Sequence, residues 1–334
     1  MLMLVCFQDK PFFNGSDIAQ TVSEHFYLKG FPFDQTVIAM PDDLASIKAT
    51  AVADKGNYYV FLNPTEYVIG ENIRSIKQIA LEKDLIAVIG ELERVTGKSY
   101  GNCVLKAFGA DNSALSLACK EADKFCDNSA ISYNLHTEFG DTKIIIAYDS
   151  TSPKMAVDGV IKAFVYNLKE FIYAEDDVSL EQQLFNLLTL RGKILSTAES
   201  FTAGRIASRL ITIPGSSAVF HEGIVAYSNI SKETRLGVDR ETLFDYGAVS
   251  AECCSEMAEG LLSSGKCDIA VCSTGIAGPK SDNTLKPVGL CYIGVGMKNG
   301  IDVYKYNFNG TREEITETAV RAAIFNAVKR LKYL

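Results

Sequence analysis

Apolar positions in the first third of the chain alternate between two rhythms. Met1–Phe7 is a continuous apolar run of strand length, and Ser16–Lys29 sets Ile18, Val22 and Phe26 on one helical face before Gly30. Thr36–Met40 repeats the strand pattern. Pro41-Asp42-Asp43 then opens a helix carrying Leu44 and Ile47, and Tyr58–Leu62 is again a strand. Ile73, Ile76 and Ile79 predict a further helix leading into a strand over Leu85–Ile89. Strands separated by helices of this length predict a parallel α/β sheet.

The rhythm changes near Ser129. Ala130–Phe139 and Thr142–Tyr148 alternate as a hairpin around Gly140-Asp141, followed by a helix over Lys154–Leu168 and a strand over Glu170–Tyr173. The acidic stretch Ala174–Asp177 marks a boundary. Beyond it, Ser179 and Gln182 have capping-box spacing, Leu180, Leu184, Leu187 and Leu188 form a stripe, and Gly192 closes the helix. Lys193–Thr197, Gly223–Tyr227, Asp268–Thr274, Gly289–Met297 and Ile301–Phe308 predict a second sheet, with helices over Thr202–Thr212, Ala251–Ser263 and Thr311–Leu331. The expected domains are 1–127, 128–176 and 177–334.

Composition narrows the class. The 334 residues suffice for about two domains, and 47% hydrophobic with 22% charged residues is ordinary for a globular chain. A net charge of -8 disfavours a nucleic-acid partner. No apolar run reaches the roughly 18–20 residues that span a bilayer. Gln8-Asp9-Lys10 interrupts the opening run, which reads as a strand and not a secretory signal. The nine cysteines include no CxxC pair, and His25, His136 and His221 are widely separated. A cytoplasmic protein with reduced thiols and no metal or cofactor is expected.

Hydroxyls gather in the second half at Ala198-Glu199-Ser200, Gly215-Ser216-Ser217 and Tyr227-Ser228-Asn229, with Lys232 just beyond. Pro214-Gly215 breaks a helix and leaves Ser216 and Ser217 where another can begin, with free N–H groups for a cap or an oxyanion. A lysine of lowered pKa activates a serine hydroxyl, so Lys232 folding back on Ser217 would make a Ser-Lys pair, with Tyr227 as relay. Ser200 and Thr202 open a helix directly after a strand, a place that suits helix capping or a phosphate. Thr274-Gly275-Ile276-Ala277-Gly278-Pro279 follows another strand, and its two glycines permit close backbone approach to a ligand. Arg312 begins the last helix and offers a bidentate anion contact.

The order TAES, PGSSAVF, GIVAYSN with Lys232, YGAVSAE, TGIAGP, KPVG and FNGTR resembles the CinA family, specifically its C-terminal amidase domain, from about Tyr173 to Leu334. The resemblance implies an α/β amidase domain with a mixed sheet that hydrolyses the carboxamide of nicotinamide mononucleotide to nicotinic acid mononucleotide and ammonia. It puts the nucleophile on Ser217 and the activating partners on Tyr227 and Lys232. Substrate contacts fall on Ser200, Thr202, Ser216, Thr274, Gly275, Gly278 and Arg312, the last holding the phosphate. It also implies a homodimer.

Three departures bear on substrate fit. Phe201 stands for the family's cysteine, Ala203 for a glycine, and Lys280-Ser281-Asp282-Asn283 for a glycine-rich run. The front of the chain is similar to the family's molybdopterin-binding-like domain, a three-layer α/β fold with ADP-ribose pyrophosphatase activity in some members, and the middle to its linker module. Asn63-Pro64-Thr65-Glu66 replaces the glycine loop of that front domain, so catalytic degeneracy is expected there. The alternatives are a non-catalytic nucleotide-binding or scaffold protein, and a residual pyrophosphatase at the front.

Overall fold

The computed structural model of the chain describes residues 1–7, 16–31, 33–77, 80–97, 99–126, 130–281 and 285–332. Of the positions used above, Gln8, Asp9, Lys10, Ile79, Ser129, Asp282, Asn283 and Leu334 lie outside them. The chain divides into two compact units, 1–104 with 117–134 and 145–167, and 105–116 with 135–144 and 168–334.

The first unit opens with β1 (Leu2–Phe7), α1 (Ser16–Leu28), β2 (Gln35–Ala39), α2 (Leu44–Ala53), β3 (Tyr58–Leu62), β4 (Ile73–Ile76) and α3 (Leu81–Thr96). The strands form a wholly parallel sheet of order β2-β1-β3-β4. Leu4, Cys6, Val60 and Leu62 pack against α1 and α3 on one face, while Val5, Phe7, Tyr59 and Phe61 pack against α2 on the other. That alternation explains the unbroken apolar runs, since a strand buried on both faces has no polar side.

Ile73 and Ile76 belong to a strand and Leu85–Ile89 to a helix, the reverse of the expectation. Ile73 and Ile76 are both buried in β4. Leu85, Val88, Ile89 and Leu92 instead make one helical stripe on α3, and a short apolar run alone does not distinguish the two states.

Next come β5 (Tyr100–Phe108), α4 (Asn112–Cys126), β6 (Ile131–Glu138), β7 (Asp141–Asp149), α5 (Lys154–Asn167) and β8 (Ile172–Ala174). Their strands form a sheet of order β6-β7-β5-β8. The hairpin turns at Phe139 and Gly140, both at positive φ (48° and 79°), the combination a tight hairpin loop requires. β5 and α4 have no counterpart in the periodicity above. α4 buries only Ala118 and Ala122, so it has little apolar signal.

The second unit continues with α6 (Leu180–Arg191), β9 (Leu195–Glu199), α7 (Arg205–Ile211), β10 (Phe220–Val225), α8 (Asn229–Leu236), α9 (Arg240–Asp245), α10 (Ala251–Ser263), β11 (Ile269–Gly275), β12 (Leu290–Met297), β13 (Gly300–Asn307) and α11 (Arg312–Lys332). Ser179 caps α6 by accepting from the Gln182 N–H, and Gly192 ends it at φ 57°. The sheet has the order β10-β9-β11-β12-β13, with β10, β9 and β11 parallel and β12 and β13 antiparallel. This is a mixed sheet.

Leu195, Val271, Ile293 and Val295 face α6, α7 and α11, whereas Ala198, Ala270 and Cys272 face α8 and α10. The small residues on the second face let α10 lie close. A Cβ on Gly294 would stand 3.1 Å from Cys254 Sγ, and one on Gly260 would meet the Leu236 carbonyl. Among the described residues, no helix is long and apolar enough to cross a membrane.

Candidate active site

Because β9, β10 and β11 are parallel, their carboxyl ends share one edge of the sheet. Ser200 follows β9, Ala226-Tyr227 follows β10, and Thr274-Gly275 ends β11. Backbone bonds tie the ends together, from Ser200 N–H to the Ser273 carbonyl (2.9 Å) and from Ala226 N–H to the Glu199 carbonyl (2.8 Å).

Ser228 caps α8 by accepting from Ser231 N–H at 3.1 Å, so the helix begins directly after β10. One turn in, Lys232 and Leu236 share its buried face. Lys232 is 1% exposed. Its Nζ lies 2.9 Å from Ser200 Oγ, 2.8 Å from the Ala226 carbonyl and 3.4 Å from the Tyr227 carbonyl. Burial holds its ammonium below the ordinary lysine range. No carboxylate pairs with it among the described residues.

Ser217 is not part of this arrangement. Gly215, at φ 87°, leads into a single 3-10 turn over Ser216–Ala218, which passes straight into β10. Leu195 N–H donates to the Val219 carbonyl, which fixes Ser216 and Ser217 at the amino edge of the sheet. The run of β10 separates that edge from Lys232, a distance of roughly 15 Å or more at a rise of about 3.3 Å per residue. No helix begins at Ser217 to supply free donors, and the Ser216, Ala218 and Val219 N–H groups are already bonded within the turn. The expected contact between Ser217 and Lys232 is therefore corrected. Lys232 meets Ser200, and Ser216 stays with Ser217 at the far edge.

Tyr227 is 65% exposed and gives Lys232 only its carbonyl. Thr202 faces inward, bonded to Glu199 Oε2 (2.8 Å) and Ser273 Oγ (2.6 Å). Thr274 Oγ1 donates to the Ala248 carbonyl at 2.6 Å. Gly275 and Gly278 are required by packing, since a Cβ would stand 2.5 Å from Cys291 Cβ and 2.7 Å from Val288 Cγ1. Arg312 Nη1 donates to the Gly278 carbonyl at 2.6 Å. Thr311 and Glu314 exchange capping bonds beside it, which fixes the start of α11.

Several of these groups, though not Thr202, surround a cavity of about 310 Å³. Ser200, Tyr227 and Lys232 line it together with Thr274, Gly275, Gly278 and Arg312, and so do Phe201 and Lys280, which were expected only to affect substrate fit, and Asn229, which was given no role. None of the described lining residues is acidic.

Glu199 is the other unassigned residue. Its carboxylate is 0% exposed and accepts from the N–H groups of Gly204, Ile206 and Ala207 and from the hydroxyls of Thr197 and Thr202. A carboxylate at the start of a helix suits the unpaired donors and the positive dipole end there. Its placement at the end of a strand and just before a helix is the signal that could have identified it. Glu199 fixes the turn that carries Ser200.

Residues 177–331 match the CinA C-terminal domain. Through this domain the chain belongs to the CinA family. The match is 45% identical over 157 residues to a putative competence-damage inducible protein of Caldicellulosiruptor saccharolyticus, covering 47% of this chain and 38% of that protein. It is 45% identical over 180 residues to a CinA-like protein of Fusobacterium nucleatum, covering 53% of this chain and 44% of the relative. The chain thus covers less than half the length of either relative. A crystallised CinA superfamily protein from Klebsiella pneumoniae 700603 is 32% identical, with 46% of this chain covering 97% of that one and a TM-score of 0.46. Every described lining residue of the cavity, from Ser200 to Arg312, lies inside the CinA domain.

Proposed function

We propose that the CinA domain hydrolyses the carboxamide of nicotinamide mononucleotide, with Ser200 as nucleophile and Lys232 as base. The observation that carries this reading is the 2.9 Å contact between a buried serine hydroxyl and a buried lysine with no counter-ion among the described residues. A neutral amine has two N–H donors for the Ala226 and Tyr227 carbonyls and one lone pair left for Ser200. Burial favours that neutral form.

In the first step, Ser200 Oγ bonds to the carboxamide carbon and its proton passes to Lys232 Nζ. The tetrahedral oxyanion needs donors. The N–H groups of Phe201 and Thr202, next to Ser200, make no hydrogen bond among the described residues and are free for it. When the carbon–nitrogen bond breaks, Lys232 returns the proton to the departing ammonia. A water then attacks the Ser200 ester, gives its proton to Lys232, and releases the acid with the Ser200 hydroxyl restored. Arg312 at the cavity wall suits the substrate phosphate.

None of the described lining residues of this cavity belongs to the first unit. In it, Asn63 and Pro64 follow β3 where a glycine loop would cradle phosphate, and Lys77 Nζ donates to the Thr65 carbonyl at 3.2 Å. This supports reading the front domain as catalytically degenerate. The test is to quench turnover with acid and digest the protein. The Ser200 peptide is expected to carry the mass of the substrate less ammonia, and the same adduct on the Ser217 peptide would overturn the assignment.

A further inference from the structure

Arg312 and Lys280 bring two cations to one wall of the cavity. The bond from Arg312 to the Gly278 carbonyl holds the guanidinium against the loop that reaches Lys280 two residues later. Of the five N–H donors of Arg312, that carbonyl takes one. Lys280 makes no hydrogen bond or ion pair among the described residues.

The loop is anchored just beyond. Ser281 Oγ donates to the Lys286 carbonyl at 3.0 Å, and Lys286 Nζ donates to the carbonyls of Tyr246 and Val249, each at 2.7 Å. Lys280 therefore lines, next to the bonded Ser281, a cavity whose described lining has no carboxylate, in a chain of net charge -8. Such a site concentrates anions against the sign of the whole molecule.

We propose that Lys280 is a specificity-determining residue, which with Arg312 clamps a terminal phosphate monoester and so selects a mononucleotide over its nucleoside or a diphosphate-linked dinucleotide. This rests on the amidase reading for the identity of the substrate. A terminal phosphate monoester has its second pKa near 6 and concentrates close to two negative charges on one phosphate at neutral pH, whereas each phosphate of a diphosphate bridge carries only one. Two cations match the first. In a mononucleotide the phosphate is remote from the reacting carboxamide, so the clamp acts equally on bound substrate and transition state and affects KM, not kcat.

The test compares Lys280→Met and Lys280→Arg with the wild-type chain on nicotinamide mononucleotide and on nicotinamide riboside, and measures binding of ribose 5-phosphate by calorimetry. Lys280→Met is expected to raise KM for the mononucleotide by about tenfold with kcat unchanged, and to weaken ribose 5-phosphate binding by a similar factor. Its kcat/KM on the riboside stays at the wild-type value, and Lys280→Arg restores the mononucleotide KM. Wild-type KM and wild-type ribose 5-phosphate affinity in Lys280→Met would overturn the clamp. If ribose 5-phosphate binding depends on Lys280 while no chain releases ammonia, the clamp stands and the amidase reading falls.

Discussion

The surroundings of Lys232 disfavour its charged form, and this has two consequences with worked signs. As a base it acts only when neutral, so kcat/KM rises as pH climbs through its depressed pKa and levels off at lower pH than a solvated lysine would allow. For stability, the unfolded chain keeps the ordinary lysine pKa and binds the extra proton between the two values. Stability therefore increases with pH across that window and decreases as pH falls toward the folded value. Lys232→Met is expected to cost at least about a thousandfold in turnover while its melting temperature at neutral pH does not fall. A melting curve and an ammonia assay on the same preparation check both. Ala203, one turn from Ser200, has φ 53°, a left-handed conformation that costs an L side chain roughly 1–2 kcal/mol. Ala203→Gly is expected to stabilise the chain by about 1 kcal/mol, read by urea denaturation.

Elements were legible where their periodicity was long or their ends were marked. Ala251–Ser263 has the bounds its pattern predicts, and α6 has its serine cap and closing glycine where the spacing put them. Ile73–Ile76 was misread because two isoleucines three apart fit a helix, and the tertiary pairing with β3 decided otherwise. The site was legible in its residue types but not in its partnering. Lys232, Ser200, Thr274 and Arg312 all line the cavity, yet Ser217 could be excluded only once β10 was known to run parallel to β9 from the opposite edge. Glu199 shows how much one element end can depend on one side chain. Glu199→Gln puts amide donors where the first-turn N–H groups of α7 need acceptors, and a loss of about 2–3 kcal/mol in denaturant stability is expected, with turnover lost as the Ser200 turn loosens.

At the scale of the whole molecule, all the chemistry proposed lies in residues 200–312, while the core that supports it reaches further back. Tyr173 and Ala174 belong to the cluster under α6 and α11, and the Tyr173 hydroxyl bonds both oxygens of Asp141 at 3.1 and 3.2 Å. Phe108 packs on Phe325 with ring centroids 5.3 Å apart, and Arg321 pairs with Glu138, Asp141 and Glu317. A fragment of residues 177–334 is expected to keep kcat within about threefold but to melt several degrees below the full chain, since each buried large side chain it loses contributes roughly 1.5–3 kcal/mol. Calorimetry of both forms reads the difference.

Ammonia release from nicotinamide mononucleotide by three chains, wild type, Ser200→Ala and Ser217→Ala, is the most direct test of the pairing between β9 and α8. Wild type and Ser217→Ala are expected to agree within about twofold, and Ser200→Ala to lose at least roughly a thousandfold. Full activity in a folded Ser200→Ala chain, with turnover lost in Ser217→Ala, would contradict the account.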